Sequence, residues 1–273
     1  MQISSFTHTG MVRHNNEDSC LVIPPWSRIA IEKGVCLLAV ADGMGGQNAG
    51  EVASGLAVKA LAGWFADNSF EDFSPRLLEE MFAHANSVVW SHSQENPETK
   101  GMGTTLTLML VRDSKAMVGH IGDSRLYRMR NKQLEQMTSD HSLVGEQVRM
   151  GKISPEAARV HPTRHILSRV LGSRQFVVPD IFEIDLQVGD AFLLCSDGLS
   201  GMVEDSGIRS IFLEKSTGNI AKSMVSAANK AGGKDNSTVV VAVMDELPVA
   251  FPGRFSFARF AKMILSYGNA GLI

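Results

Sequence analysis

Apolar residues along the chain follow two patterns: short unbroken runs that stop at a glycine or polar turn, and longer stretches with apolar residues three or four apart. The first run, Gly34-Val-Cys-Leu-Leu-Ala-Val-Ala41, has strand length and ends at Asp42, where the following glycines break the pattern. Val52, Ala53, Leu56, Ala60, Leu61 and Trp64 then recur at helical spacing and predict a helix. A second helix is expected to open at Ser74-Pro75, a cap and first-turn pair, and to bury Leu78, Met81, Phe82, Ala85 and Val89. Residues 104–111 and 115–121 read as strands joined by a turn near Arg112-Asp113-Ser114. Residues 126–130 and 133–137 read as a hairpin around Asn131-Lys132. The stretch 143–165 is polar and partly helical, with a helix start at Ser154-Pro155-Glu156, and strand character returns at 191–195 and 237–244. Two helices followed by many short, mostly antiparallel strands predict an α+β domain with helices packed on sheets.

The 273 residues could form one large domain or two small ones. With 44% hydrophobic and 20% charged residues the composition is that of a globular protein. A net charge of −3 gives no global attraction to nucleic acid. Cys20, Cys36 and Cys195 lack metal-ligand spacing, and reduced thiols suit the cytoplasm. Residues 1–15 contain no apolar leader segment, and no run approaches the roughly 18 apolar residues a membrane span needs. A cytoplasmic monomer without membrane contact is expected.

Four aspartates share one context, the boundary between an apolar strand and a glycine-rich or polar turn. Asp42, Asp123 and Asp197 each end a run, and Asp235 precedes Ser237-Thr-Val-Val-Val-Ala242. In an antiparallel sheet the start of one strand lies beside the end of its neighbour, so all four could meet at one edge. Carboxylates that close raise one another's pKa. Hard divalent cations such as Mg²⁺ and Mn²⁺ remove the conflict, since they favour carboxylate, carbonyl and water oxygens. Two such ions can hold a bridging water, lower its pKa and orient it for attack on phosphorus. Taken singly, each aspartate reads as a turn or cap residue.

The strings around these aspartates are more specific than any one of them. They are Arg13-His-Asn-Asn-Glu-Asp18, Val40-Ala-Asp-Gly-Met-Gly-Gly46, Gly101-Met-Gly-Thr-Thr105, Gly122-Asp-Ser-Arg-Leu-Tyr127, Thr138-Ser-Asp-His-Ser142, Leu194-Cys-Ser-Asp-Gly-Leu199 and Asp235-Asn-Ser-Thr-Val239. In this order they resemble the metal-dependent type 2C Ser/Thr protein phosphatases in their compact bacterial form, from about residue 7 to 243. The resemblance implies a four-layer α-β-β-α sandwich, two central antiparallel sheets between helices, with a flap at about 143–165 beside a metal cleft. It implies Mn²⁺ or Mg²⁺ as cofactor, two core ions and a third. Asp42 would bridge the core ions, with the Gly43 carbonyl completing one and Asp197 and Asp235 holding the other. Asp123 would bind the third ion with Asp197, and Glu17 and Asp18 would act through bound waters. Arg13 would hold the substrate phosphate, because a guanidinium can donate two parallel hydrogen bonds to it. Arg125, Thr104 and Thr105 are read as supporting residues.

Other positions stay open at this point. Met44 and Gln47 stand where some relatives carry a histidine, leaving a bound water or His141 as general-acid candidates; a structural His141 is the alternative. The basic residues of the flap, including Arg149, Lys152, Arg159 and Arg164, either select acidic or phosphorylated segments or form a solvated face. Residues 1–245 form the expected catalytic domain, and 246–273 an extension whose interleaved Phe and Arg residues suit an amphipathic helix or a segment packed on its own domain. Phosphorylated proteins, a Ser/Thr kinase or its targets among them, are the expected partners. A catalytically silent phosphatase-like module and a small-molecule phosphate-ester hydrolase are the competing functions.

Overall fold

The computed structural model describes residues 1–45 and 49–247. Eleven strands and eight α-helices alternate in these residues, in an order that explains the two hydrophobic patterns. In chain order they are β1 (Gln2–His8), β2 (Asp18–Ile23), α1 (Arg28–Lys33), β3 (Cys36–Met44), α2 (Ala49–Asp67), α3 (Pro75–Glu95), β4 (Gly103–Thr104), β5 (Leu106–Arg112), β6 (Lys115–Ile121), β7 (Arg125–Arg130) and β8 (Gln133–Gln136). There follow α4 (Leu143–Arg149), α5 (Pro155–Arg159), β9 (Asp180–Asp185), β10 (Ala191–Cys195), α6 (Asp197–Ser200), α7 (Asp205–Glu214), α8 (Thr217–Lys230) and β11 (Ser237–Val243).

One sheet has the order β1-β11-β10-β7-β8; the other runs β2-β3-β5-β6-β9, with β4 beside β3. All pairings are antiparallel. Helices α2 and α3 cover the second sheet, α7 and α8 cover the first, and β3 touches β10 and β11 across the middle. This is the four-layer α-β-β-α sandwich that the resemblance implied.

The central strands β3, β5 and β6 are buried on both faces. That is why they read as unbroken apolar runs and not as alternations. Strands β10 and β11 divide their side chains between two cores. Phe192, Leu194, Val240 and Ala242 face the layer between the sheets, while Leu193, Cys195, Val239 and Val241 pack with Ile220, Met224 and Val225 of α8.

Helix α3 buries the five residues expected of it. Helix α2 is turned slightly from its expected face: Ala53, Ala57, Ala60 and Leu61 are buried, while Val52, Leu56 and Trp64 are only partly so. The predicted strand 104–111 divides at Thr105 into β4 and β5. The expectation of two helices followed by strands is incomplete, since α7 and α8 lie between β10 and β11 and supply the fourth layer. The flap carries α4 and α5, capped by Ser142 and Ser154, whose hydroxyls accept from the Gly145 and Ala157 N–H groups. No helix among the described residues is long and apolar enough to cross a membrane. Leu247 packs against the main core; most of the expected extension, residues 248–273, lies outside the described residues, as does Gln47.

Candidate metal and phosphate site

Both sheets bring aspartates to one end of the sandwich. In the second sheet Asp18 and Asp42 are directly opposed partners in the β2–β3 ladder. The backbone of Asp42 is held from both sides: its N–H donates to Thr105 Oγ1 at 2.9 Å, and its carbonyl accepts from the Thr105 N–H at 2.8 Å and Thr104 Oγ1 at 2.9 Å. The two threonines thus hold an aspartate in place. Gly43 follows, donating its N–H to the Glu17 carbonyl at 3.0 Å. A Cβ there would sit 1.9 Å from the Gly50 carbonyl oxygen, so only glycine lets α2 approach this closely.

The first sheet contributes Asp197, at the start of α6, and Asp235, just before β11. Ser196 joins the two sheets. Its hydroxyl donates to Asp18 Oδ2 at 2.7 Å and accepts from the Thr238 N–H at 2.9 Å. Asn236 fixes the loop that carries Arg13: its Nδ2 donates to the Thr9 and Asn15 carbonyls, both at 2.8 Å, and its Oδ1 accepts from the Glu17 N–H at 2.8 Å. Ser196, Thr238 and Asn236 lay within the quoted strings but drew no role from the sequence. Arg13 is about half exposed, donates to Asp235 Oδ2 at 2.8 Å and lies 3.9 Å from Glu17.

The charges are in conflict. Burial first, then Asp18, Asp197, Asp123 and Asp235, pushes the Asp42 carboxyl well above its ordinary range. Burial, followed by Asp197 and Asp140, does the same at Asp123, against the pull of Arg125. Asp197 is raised by burial and Asp235, and is relieved in part by His165 and a hydrogen bond with Asp42. Asp18 is pushed up to about 7, chiefly by burial. Its Oδ1 is buried with no hydrogen-bond partner. An orphaned acceptor among mutually repelling carboxylates, with oxygen donors alone, suits a hard divalent cation. Among the described residues no three His, Cys, Asp or Glu side chains already close into a finished cage. Opposed carboxylates approach one another only by sharing protons or cations.

His141 sits apart from this chemistry. It is fully buried, its Nδ1 accepts from the Gly122 N–H at 3.2 Å, and Nε2 therefore carries the proton shared with Asp180 Oδ2 at 3.0 Å. Burial holds its pKa below the usual histidine value despite Asp180. With both nitrogens engaged, this geometry favours the structural alternative over the general-acid reading. Arg125 is likewise structural: it grips Asp140 through two hydrogen bonds of 2.9 and 2.7 Å and donates to the Tyr127 hydroxyl.

The chain matches a known family over most of its length. The model of the family described as Protein phosphatase 2C matches residues 13–232. The chain belongs to this family. The phosphatase is 36% identical over 251 residues to the protein phosphatase PhpP of Streptococcus pneumoniae, covering 90% of this chain and 98% of the relative. It superimposes on the serine/threonine phosphatase Stp1 of Staphylococcus aureus with a TM-score of 0.83 and 35% identity, covering 90% of this chain and 95% of the other. The catalytic domain of the serine/threonine protein phosphatase PstP, solved in complex with two manganese ions, gives a TM-score of 0.76 at 36% identity, covering 88% and 96%. This phosphatase is an enzyme of protein dephosphorylation.

Proposed function

We propose that this phosphatase hydrolyses phosphoserine and phosphothreonine in proteins at a divalent-metal centre formed by Asp42, the Gly43 carbonyl, Asp197 and Asp235. Asp123 extends the centre toward a third ion, and Glu17 and Asp18 lie behind it. The observation that carries this reading is the meeting of mutually raised carboxylates from two sheets beside one guanidinium. Asp42, the Gly43 carbonyl, Asp197 and Asp235 would hold Mn²⁺ or Mg²⁺, two core ions by analogy with PstP, which would supply a water of lowered pKa and neutralise charge on the phosphoryl oxygens.

The protein's own residues divide the remaining work. Thr104 and Thr105 fix the Asp42 backbone, and Ser196 fixes Asp18 across the two sheets. Arg13 exchanges its Asp235 partner for the substrate phosphate, which offers the same paired oxygens at higher charge. Phosphorylated proteins, including a Ser/Thr kinase or its targets, are the partner class. The three free cysteines suit the reducing cytoplasm.

Turnover of an aryl phosphate and of phosphothreonine peptides, with Mn²⁺ present or chelated, tests this. Wild type should turn over both only with metal. Arg13→Ala should lower kcat/KM by roughly 10- to 150-fold, the value of a charge-assisted hydrogen bond of about 1.5–3 kcal/mol. Metal-independent turnover would contradict the metal centre, and turnover of the aryl ester alone would favour a small-molecule hydrolase.

A further inference from the structure

A cavity of about 370 Å³ opens from the candidate metal centre toward the flap. Its lining includes Asp123 and Asp197 from the centre and, on the flap side, Arg149, Arg159, Arg164 and His165. Arg149 ends α4 and Arg159 ends α5. Arg125 also lines the cavity, but Asp140 already neutralises it. The flap arginines differ. Among the described residues none of the three forms an ion pair, and Arg164 makes only a 3.3 Å hydrogen bond to the His161 carbonyl. The flap's own carboxylates, Glu146 and Glu156, do not line the cavity. His165 and Asp197 line the same cavity, so the flap side and the metal side belong to one site.

Three flap guanidiniums without an ion-pair partner line this cavity and make a local cationic surface in a chain whose net charge is −3. The apolar residues Val144, Val148 and Ala158 line the same cavity and give a peptide chain something to lie on. Resting on the phosphatase reading of the adjoining centre, we infer that this flap side is a specificity subsite for a second anionic group on the substrate, flanking the scissile phosphate. Carboxylate and phosphate share the required chemistry, since planar guanidiniums pair with either. The flap arginines therefore select acidic or multiply phosphorylated segments over neutral and basic ones. They touch the substrate's flank and not the reacting phosphorus.

The test uses the full chain loaded with Mn²⁺ and phosphothreonine peptides in which one glutamate, one phosphoserine or one lysine is walked along both flanks. Wild type should favour the best-placed anionic peptide over the neutral one by about tenfold in kcat/KM, mainly through KM, with the advantage shrinking as salt rises. In Arg149→Gln/Arg159→Gln/Arg164→Gln that ratio should fall toward one, and the corresponding lysine variant should keep part of it. Because each ratio is taken within one protein, a general loss of activity does not imitate the result. The glutamate and phosphoserine arms distinguish the two anion sources, and preference for either supports the subsite. Indifference of wild type to both, or an undiminished ratio in the glutamine variant, overturns it. If wild type hydrolyses nothing, the phosphatase reading fails, and fluorescence anisotropy of the same labelled peptides decides the subsite. Anion-selective binding lost in the glutamine variant supports it, and unselective binding overturns it.

Discussion

At the scale of single residues, what distinguishes this site is the number of charges held without an opposite charge. Asp18, Asp42, Asp123 and Asp197 all have carboxyls pushed up by burial and by one another. His120 shows the opposite shift. Burial and then the neighbouring His141 ring, centroid to centroid 4.7 Å, lower its pKa to about 4. Its neutral ring bonds to Thr107 Oγ1 at 2.9 Å and the Ser139 carbonyl at 3.2 Å. The unfolded chain takes up this proton near pH 6.5, but the native protein does not until about 4. Stability from His120 is therefore complete above 6.5 and is lost as pH falls through that window, on the order of 3 kcal/mol in all. Urea titrations between pH 6.5 and 4 should show a steeper loss for wild type than for His120→Gln, which cannot titrate; parallel curves would refute the shift. The candidate aspartates Asp42, Asp123, Asp197 and Asp235 were legible in the sequence because each stands at the boundary of an apolar run. Ser196, Thr238 and Asn236 were not, since serine, threonine and asparagine are ordinary turn residues and only the fold shows what they join.

At the scale of elements, glycines decide how closely the pieces meet. A Cβ on Gly198 would lie 1.8 Å from the Asn236 carbonyl oxygen, within the junction that brings Asp197 to Asp235. Gly198→Ala must push α6 away from the start of β11. A cost of about 1–3 kcal/mol is expected for such overpacking, together with weaker Mn²⁺ affinity. Thermal melts with and without Mn²⁺ would check both, and unchanged affinity would mean that this contact does not position the aspartates. The strands β3, β5, β6, β10 and β11 were readable because burial on both faces leaves long apolar runs. Strand β1 was not, because an edge strand alternating between exposed and half-buried positions gives a weak pattern. Helix α8 carries a stripe at helical spacing, Ile220, Ala221, Met224, Val225 and Ala228, that marks the second helical layer.

At the scale of the whole molecule, two sheets that share no ladder place their charged ends together, and the proposed metal centre lies where they meet. A single antiparallel edge, as the strand ends suggest, would supply only Asp197 and Asp235; Asp42 comes from the other sheet, and Asp123 lies in the connection from β6 to β7 that links the two. Periodicity could not show this, because it reports which face of a strand is buried and not which sheet the strand joins. The ordered strings compensated by pointing to a family. Binding of divalent cations should then lock the two sheets at this end while relieving the repulsion among their carboxylates. Calorimetric titration of the chelator-treated protein with Mn²⁺ tests this most directly, with turnover of a phosphothreonine peptide followed in the same samples. Wild type should take up two ions with activity rising in step. Asp42→Asn, which removes the bridging charge, should lose Mn²⁺ uptake and lower activity by more than about 100-fold, beyond the 10- to 100-fold effect of an outer-shell partner. Wild-type Mn²⁺ uptake and turnover in Asp42→Asn would contradict a metal centre built on this aspartate.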